Sequence, residues 1–182
     1  MKNLLKIVLT TLLGICVFCA VGCKNNTNAN TDEKNVSITA LETELKGSND
    51  DFKFTVNESS SGFSFKYIND YATYSGTADE KQNVTDITFV YSNISNDVIT
   101  NKNQIKKAMV RLINDPGSLT IEEIYALGCV IDFESLQSAL GVESNSDTAV
   151  DIICENKTTE INGWSVSVKS SDSTVTVTVN KK

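Results

Sequence analysis

The chain has 182 residues, a formal net charge of −7 and no histidine. Without histidine, catalytic triads and zinc sites that depend on an imidazole are excluded. The negative charge disfavours nucleic acid and anionic lipid head groups as partners, and the glycine-rich patterns of phosphate-binding loops are missing from the sequence. Composition therefore predicts no nucleic-acid partner, no cofactor and no metal site.

An uncharged, mainly apolar run occupies positions 7–23. It follows Lys2 and Lys6 with no acidic residue before it, which is the layout of a signal peptide, and it is at the short limit for a membrane span. Of the three cysteines in this run, only Cys23 follows residues of small or medium size, Ala20-Val21-Gly22. Residues 1–22 are therefore predicted to be cleaved off, with an uncleaved anchor and ordinary secretion as the alternatives.

The segment Ala20-Val21-Gly22-Cys23 resembles the lipobox of bacterial lipoproteins, which the lipoprotein signal peptidase cleaves. The resemblance implies a diacylglyceryl thioether on the Cys23 sulfur and attachment to the extracytoplasmic face of the cell membrane. Two acyl chains hold a protein to a bilayer far more firmly than one. Residues 23–35 are rich in Asn and Thr and are predicted to form a disordered tether between the lipid and the rest of the chain.

Residues 36–182 are predicted to form one domain, because no second low-complexity segment interrupts them. Thr39-Ala-Leu-Glu42 is typical of a capping box and predicts a helix that ends near Lys46. Four antiparallel strands are predicted next, because apolar and polar residues alternate. Their inward residues are Phe52, Phe54 and Val56; Phe63, Phe65 and Tyr67; Ala72, Tyr74 and Gly76; and Ile87, Phe89 and Tyr91.

Three helices are predicted in the middle of the chain. The first has an apolar face at helical spacing and stops at Pro116-Gly117, and the second begins with the capping box Thr120-Ile-Glu-Glu123 and ends at Gly128. The third runs from Asp132 to Gly141. The apolar face of the first helix consists of Ile105, Ala108, Met109, Leu112 and Ile113.

Strands are predicted again at the C-terminus. The first contains Val150, Ile152 and Cys154, the second contains Trp164, Val166 and Val168 after a type I′ turn at Asn162-Gly163, and the last covers Thr174 to Asn180. Strands at both ends with helices between them are typical of the α+β class. The predicted fold is an antiparallel sheet of about seven strands with short helices packed on one face.

Cys129 and Cys154 both lie among apolar residues. They are interpreted either as two buried free thiols or as a disulfide, which an exported compartment permits. Sequence spacing does not choose between these interpretations.

The adjacent acids, Asp50-Asp51, Asp79-Glu80 and Glu122-Glu123, each fit a turn or the first turn of a helix. A carboxylate-based hydrolase acting on envelope polymer needs two acids that converge across the fold, and it is the alternative function. Trp164 alternates with valines, so it is predicted to lie in the core rather than to stack on a sugar.

Strand alternation places Tyr71, Ile68 and Val90 on the sheet face that points away from the core. This face is predicted to be a partner surface, unless a helix covers it and makes Tyr71 internal. The predicted function is that of a membrane-anchored, non-catalytic binding module for an envelope protein or a wall polymer.

Overall fold

The computed structural model describes residues 35–46, 54–68, 71–143 and 145–182. The predicted signal peptide, Cys23 and all of the predicted tether except Asn35 lie outside the described residues. So do Phe52 and the side chains of Phe63 and residues 65–68.

Seven strands of the described chain form one antiparallel sheet, in the spatial order β1-β2-β3-β4-β7-β6-β5. The first four strands form a meander, and the last three return beside β4. The predicted α+β class with an antiparallel sheet is confirmed. The strands are β1 (Thr55–Ser59), β2 (Gly62–Ile68), β3 (Ala72–Ala78), β4 (Val84–Ser92), β5 (Thr158–Ile161), β6 (Trp164–Ser171) and β7 (Thr174–Lys181).

The helices of the described residues are α1 (Ile38–Lys46), α2 (Asn96–Ile99), α3 (Lys102–Asn114), α4 (Ile121–Ala139) and α5 (Ser146–Glu155), with a short 3₁₀ turn at Pro116–Ser118. Helix α4 is central, because it contacts each of the other four helices and nearly all of its residues from Ala126 onward are buried. Within the described ranges, none of the helices has both the length and the apolar character that crossing a bilayer requires.

One hydrophobic core joins the helices to one face of the sheet. Burial alternates along β3, β6 and β7, as expected for an antiparallel sheet with one covered face and one open face. Trp164 is 1% exposed, so its predicted place in the core is confirmed. The largest fully buried side chains are those of Trp164, Tyr74, Tyr91, Phe89 and Phe133.

The two predicted capping boxes have different outcomes. At α4 the box is present: the Thr120 side chain accepts a hydrogen bond from the Glu123 backbone N–H, and the Glu123 carboxylate accepts one from the Thr120 backbone N–H. At α1 the cap is Ser37, whose Oγ accepts a hydrogen bond from the Ala40 backbone N–H at 3.1 Å. The predicted helix is therefore confirmed to within one residue, but Thr39 lies inside it, and the prediction that Thr39 is the capping residue was wrong.

The second and third predicted central helices are a single helix, α4. The predicted break at Gly128 was wrong, because glycine inside a helix costs only about 1 kcal/mol relative to alanine. Burial of almost the whole surrounding segment offsets that cost.

The predicted strand containing Val150, Ile152 and Cys154 is wrong, because these residues lie in helix α5. The Asn145 side chain caps this helix by accepting hydrogen bonds from the backbone N–H groups of residues 147 and 148, and Asn156 follows its last residue in the left-handed conformation, with φ of 53°. A short apolar run fits a buried helix as well as a strand, so periodicity alone misassigned it.

The strand that enters the predicted hairpin turn is β5, which the alternation pattern did not single out. The turn itself is confirmed: Asn162 and Gly163 have φ of 46° and 83°, which are the positive values that a type I′ turn requires at both positions.

Two residues that were predicted to face the core are exposed instead. Val56 is 43% exposed, because β1 is an edge strand whose residues are all exposed. Ile113 is 70% exposed, because α3 buries the stripe of Ile105, Ala108 and Leu112, from which Ile113 is turned away.

Candidate functional site

Tyr71 lies on the helix-covered side of the sheet, which corrects the prediction that it shares the open face with Val90. Its ring stacks on Tyr125 of α4, with centroids 5.1 Å apart, and on Tyr91 of β4 at 6.2 Å. Strand alternation failed here because β3 begins only at Ala72. The alternation of faces along β3 therefore does not determine the direction of the Tyr71 side chain. Val90 is on the open face, and the Ile68 side chain lies outside the described residues.

Gly128 allows Tyr71 to lie directly against the backbone of α4. A Cβ atom at Gly128 would be 2.4 Å from the Tyr71 hydroxyl oxygen and 2.7 Å from its Cζ atom, well inside the closest normal contact. The absence of a side chain at Gly128 is therefore a condition for this packing.

Asp132 lies one turn beyond Gly128 on α4 and accepts hydrogen bonds from tyrosine hydroxyls. The Tyr74 hydroxyl on β3 donates to Asp132 Oδ2, and the Tyr71 hydroxyl makes a longer contact of 3.5 Å with the same oxygen. The ring of Tyr91 meets that of Tyr74 edge-on, with centroids 6.1 Å apart. We call these residues the Asp132 cluster: Asp132, Tyr71, Tyr74, Tyr91, Tyr125 and Cys129.

Burial changes the acidity of this cluster. It raises the pKa of Asp132 from 3.8 to about 7, although the hydrogen bonds from Tyr74 and Tyr71 favour the carboxylate and oppose the change. Burial, followed by the charge of Asp132, also raises the pKa values of Tyr74, Tyr91 and Cys129 well above their ordinary values. Asp132 can therefore hold or release a proton near neutral pH while its neighbours stay protonated.

The interior of the Asp132 cluster contains a hydroxyl that is poorly paired. The Tyr91 hydroxyl is buried and makes no hydrogen bond of normal geometry among the described residues, although its contact with the Tyr74 hydroxyl lowers its pKa. Such groups are rare in folded proteins because leaving a buried hydroxyl unpaired costs roughly 1 to 3 kcal/mol. The cluster is therefore not fully satisfied by its own hydrogen bonds.

Cys129 and Cys154 are both buried, and the structure holds them as free thiols. Burial raises the pKa of Cys129 well above its ordinary value and that of Cys154 to about 11. Thiols with raised pKa values are poor nucleophiles. Their environment is that of small hydrophobic side chains.

In each acid pair that the structure describes, one member has a local structural role. Asp79 Oδ1 accepts hydrogen bonds from the backbone N–H groups of Lys81 and Asn83, at 2.9 and 2.8 Å. Glu123 belongs to the α4 cap and forms an ion pair with Arg111. Asp50-Asp51 lies outside the described residues.

Acid pairing or metal ligation around Asp132 would need further acids nearby. No second carboxylate is among the influences on its pKa, which burial raises and the two tyrosine hydrogen bonds lower. The described residues also contain no group of three or more His, Cys, Asp or Glu side chains placed to hold a metal ion. What the cluster can do chemically is take up or release one proton.

The open face of the sheet is lined mainly by hydroxyl side chains. Cross-strand pairing aligns them in rows, with strands roughly 4.8 Å apart and same-face neighbours along a strand roughly 6.7 Å apart. One row crosses five strands as Ser75, Thr88, Thr178, Ser167 and Thr158. The row beside it contains Thr73, Val90, Thr176 and Lys169.

The centre of this open face keeps free hydrogen-bonding capacity. Within the described residues, the hydroxyls of Thr88, Thr176 and Thr178 make no side-chain hydrogen bonds, whereas Thr158 donates to Ser167 at 3.2 Å nearer the edge. A depression on this face is lined by Ser167, Lys169, Ser170, Ser171, Thr176 and Thr178.

Sequence reasoning missed Asp132, which it treated only as the first residue of a helix. A usable signal was present, because Asp132 stands alone as a charge inside the apolar segment from Cys129 to Phe133. An isolated acid in such a segment is costly to bury and is therefore informative.

Comparison with protein-family models, with curated proteins and with solved structures finds no match to this chain.

Proposed function

We propose that this chain is a lipid-anchored, non-catalytic binding module of the cell envelope, and that its open sheet face binds a polyhydroxylated wall polymer. The observation that carries the proposal is this broad hydroxyl-lined face, left open while the opposite face is packed against helices. The lipobox-like segment that ends at Cys23 supports the anchor.

The chemistry of the open face favours a hydrated polymer over a protein partner. Protein interfaces concentrate aromatic residues, methionine and arginine at their centres. The described residues at the centre of this face are instead threonines and serines, with Val90 the large apolar exception. Rows of hydroxyls can both donate and accept hydrogen bonds, which suits the hydroxyl groups of a glycan strand.

Lipid attachment is expected to depend on Cys23 alone. Cys23→Ser should leave the protein unprocessed or released into the aqueous phase in detergent phase partitioning, because serine offers no thiol for the thioether. Cys16→Ser and Cys19→Ser are the matched controls and should partition like the wild type, since both cysteines follow bulky residues. A Cys23→Ser protein that still carries lipid would show that the anchor is assigned wrongly.

Polymer binding is expected to be sensitive to charge at the centre of the open face. Thr178→Glu should reduce co-sedimentation of the detergent-solubilised protein with insoluble peptidoglycan by roughly tenfold. A tenfold loss of affinity corresponds to about 1.4 kcal/mol of binding free energy. Ile113→Glu adds the same charge at an exposed position of α3 and should bind normally.

Two results would contradict this binding surface. One is sedimentation of the wild type no greater than that of an unrelated acidic protein. The other is an equal loss of binding in Thr178→Glu and Ile113→Glu, with both variants melting like the wild type.

A further inference from the structure

We propose that Asp132 is a pH-operated latch that fastens helix α4 to strand β3 and to the segment that precedes this strand. At acidic pH the latch is closed, and above neutral pH it loosens. The proposal does not depend on lipid attachment or on polymer binding.

The contacts of Asp132 and Gly128 with the two tyrosines join helix α4 to the start of β3. Tyr71 directly precedes β3, and Tyr74 is the third residue of this strand. Both hydroxyls contact Asp132 Oδ2 on α4. The Tyr71 ring also lies over Gly128, one turn earlier on the same helix. One carboxyl group therefore ties together a helix, a strand and the residue that leads into the strand.

The proton has a route to this carboxyl group. Asp132, Tyr71 and Tyr125 are each partly exposed, whereas Tyr74 and Tyr91 are buried. Asp132 therefore borders solvent on one side and a closed aromatic interior on the other, so protons can exchange without unfolding of the domain.

The groups around Asp132 define which ionisations matter. Tyr74 and Tyr71 face it from β3 and from the residue before it, Tyr91 faces it from β4, and Cys129 lies beside it on α4. The other helices in contact with α4 carry ionisable side chains, none of which is among the causes of the Asp132 pKa. They are Glu42, Glu44 and Lys46 on α1; Asp97 on α2; Lys102, Lys106, Lys107 and Arg111 on α3; and Asp147, Asp151, Cys154 and Glu155 on α5.

The sign of the pH effect follows from the direction of the pKa change. Because the pKa of Asp132 is raised to about 7 in the folded protein, folding favours its protonated form. The stabilisation from this group is fully present below its unfolded pKa near 4 and is lost as pH rises through about 7. The tyrosine hydrogen bonds favour the charged carboxylate, but its partial removal from water costs more, so the net effect of ionisation is to weaken the contact between α4 and β3.

Amide hydrogen exchange on the full chain tests the latch. After correction for intrinsic exchange rates, protection of the Tyr74 and Asp132 amides should fall by about tenfold or more between pH 5.5 and pH 8.5, since a pKa difference of one corresponds to about tenfold in the equilibrium. Protection of both amides that is the same at the two pH values would overturn the latch.

Variants separate Asp132 from other acids. Asp132→Asn keeps an oxygen that can accept the tyrosine hydrogen bonds and should remove the pH dependence of protection. Glu122→Gln removes an exposed charge from the same helix and should leave that dependence unchanged. A pH dependence that persists in Asp132→Asn would overturn the proposal.

A measurement on the wild-type chain keeps the test independent of variant folding. The carbon-13 resonance of the Asp132 carboxyl group should titrate with a midpoint near 7. A midpoint close to the ordinary aspartate value would overturn the proposal, and Tyr74→Phe should raise the midpoint because it removes a donor that favours the carboxylate.

Discussion

Gly128→Ala should destabilise the folded protein by up to about 2 kcal/mol, although alanine is the better helix former. The added methyl would overlap the Tyr71 ring, whose hydroxyl oxygen and Cζ lie 2.4 and 2.7 Å from its position. Overpacking of this kind typically costs 1 to 3 kcal/mol, whereas the gain in helix propensity is about 1 kcal/mol. Urea denaturation at pH 6 measures the difference.

The same substitution should change sign when Tyr71 is removed. In a Tyr71→Ala background, Gly128→Ala should stabilise the protein by about 1 kcal/mol, because only the helix propensity remains. Tyr71→Phe is the matched control: the Cζ contact persists, so Gly128→Ala should stay destabilising there. Stabilisation by Gly128→Ala in the wild-type background would show that the two residues are not in contact.

Trp164→Ala should lower stability by roughly 3 to 5 kcal/mol, the usual cost of removing a large buried aromatic side chain. Trp164 is 1% exposed at the start of β6 and belongs to the single core that joins sheet and helices. For a domain of this size, such a loss lowers the melting temperature by roughly 10 °C or more.

Trp164→Phe is the matched control for this position. It keeps an aromatic ring in the core and should cost less than half as much as alanine. An alanine variant that melts within a few degrees of the wild type would place Trp164 on the surface, where a sugar-stacking role would again be open.

The sequence predicted correctly those features whose physical causes lie within a few residues of each other. The strict alternation of Trp164 with valines predicted its burial, since side chains along a strand point to opposite faces. Thr120 and Glu123 predicted the start of α4, because a capping box satisfies backbone donors within one turn. Asn162-Gly163 predicted a turn, because both residues tolerate positive φ.

Gly128 and Tyr71 are two positions that local sequence patterns assigned wrongly. Glycine near an expected helix end is typical of a stop, yet here the helix continues through it, and a ring from a distant part of the chain packs against the position that lacks a side chain. Tyr71 stands one residue outside β3, so the strand period could not assign its face. Contact between segments far apart in sequence decided both positions.

The sequence by itself determined the α+β class, the Asn162-Gly163 turn, the α4 cap and the burial of Trp164, because each depends on periodicity or on interactions within a few residues. Only the tertiary structure decided that the segment ending at Cys154 is helical and that Tyr71 faces α4. It also decided that burial raises the pKa of Asp132 to about 7. The reason is that burial depends on which distant segments exclude water from a group, and no pattern within one segment contains that information.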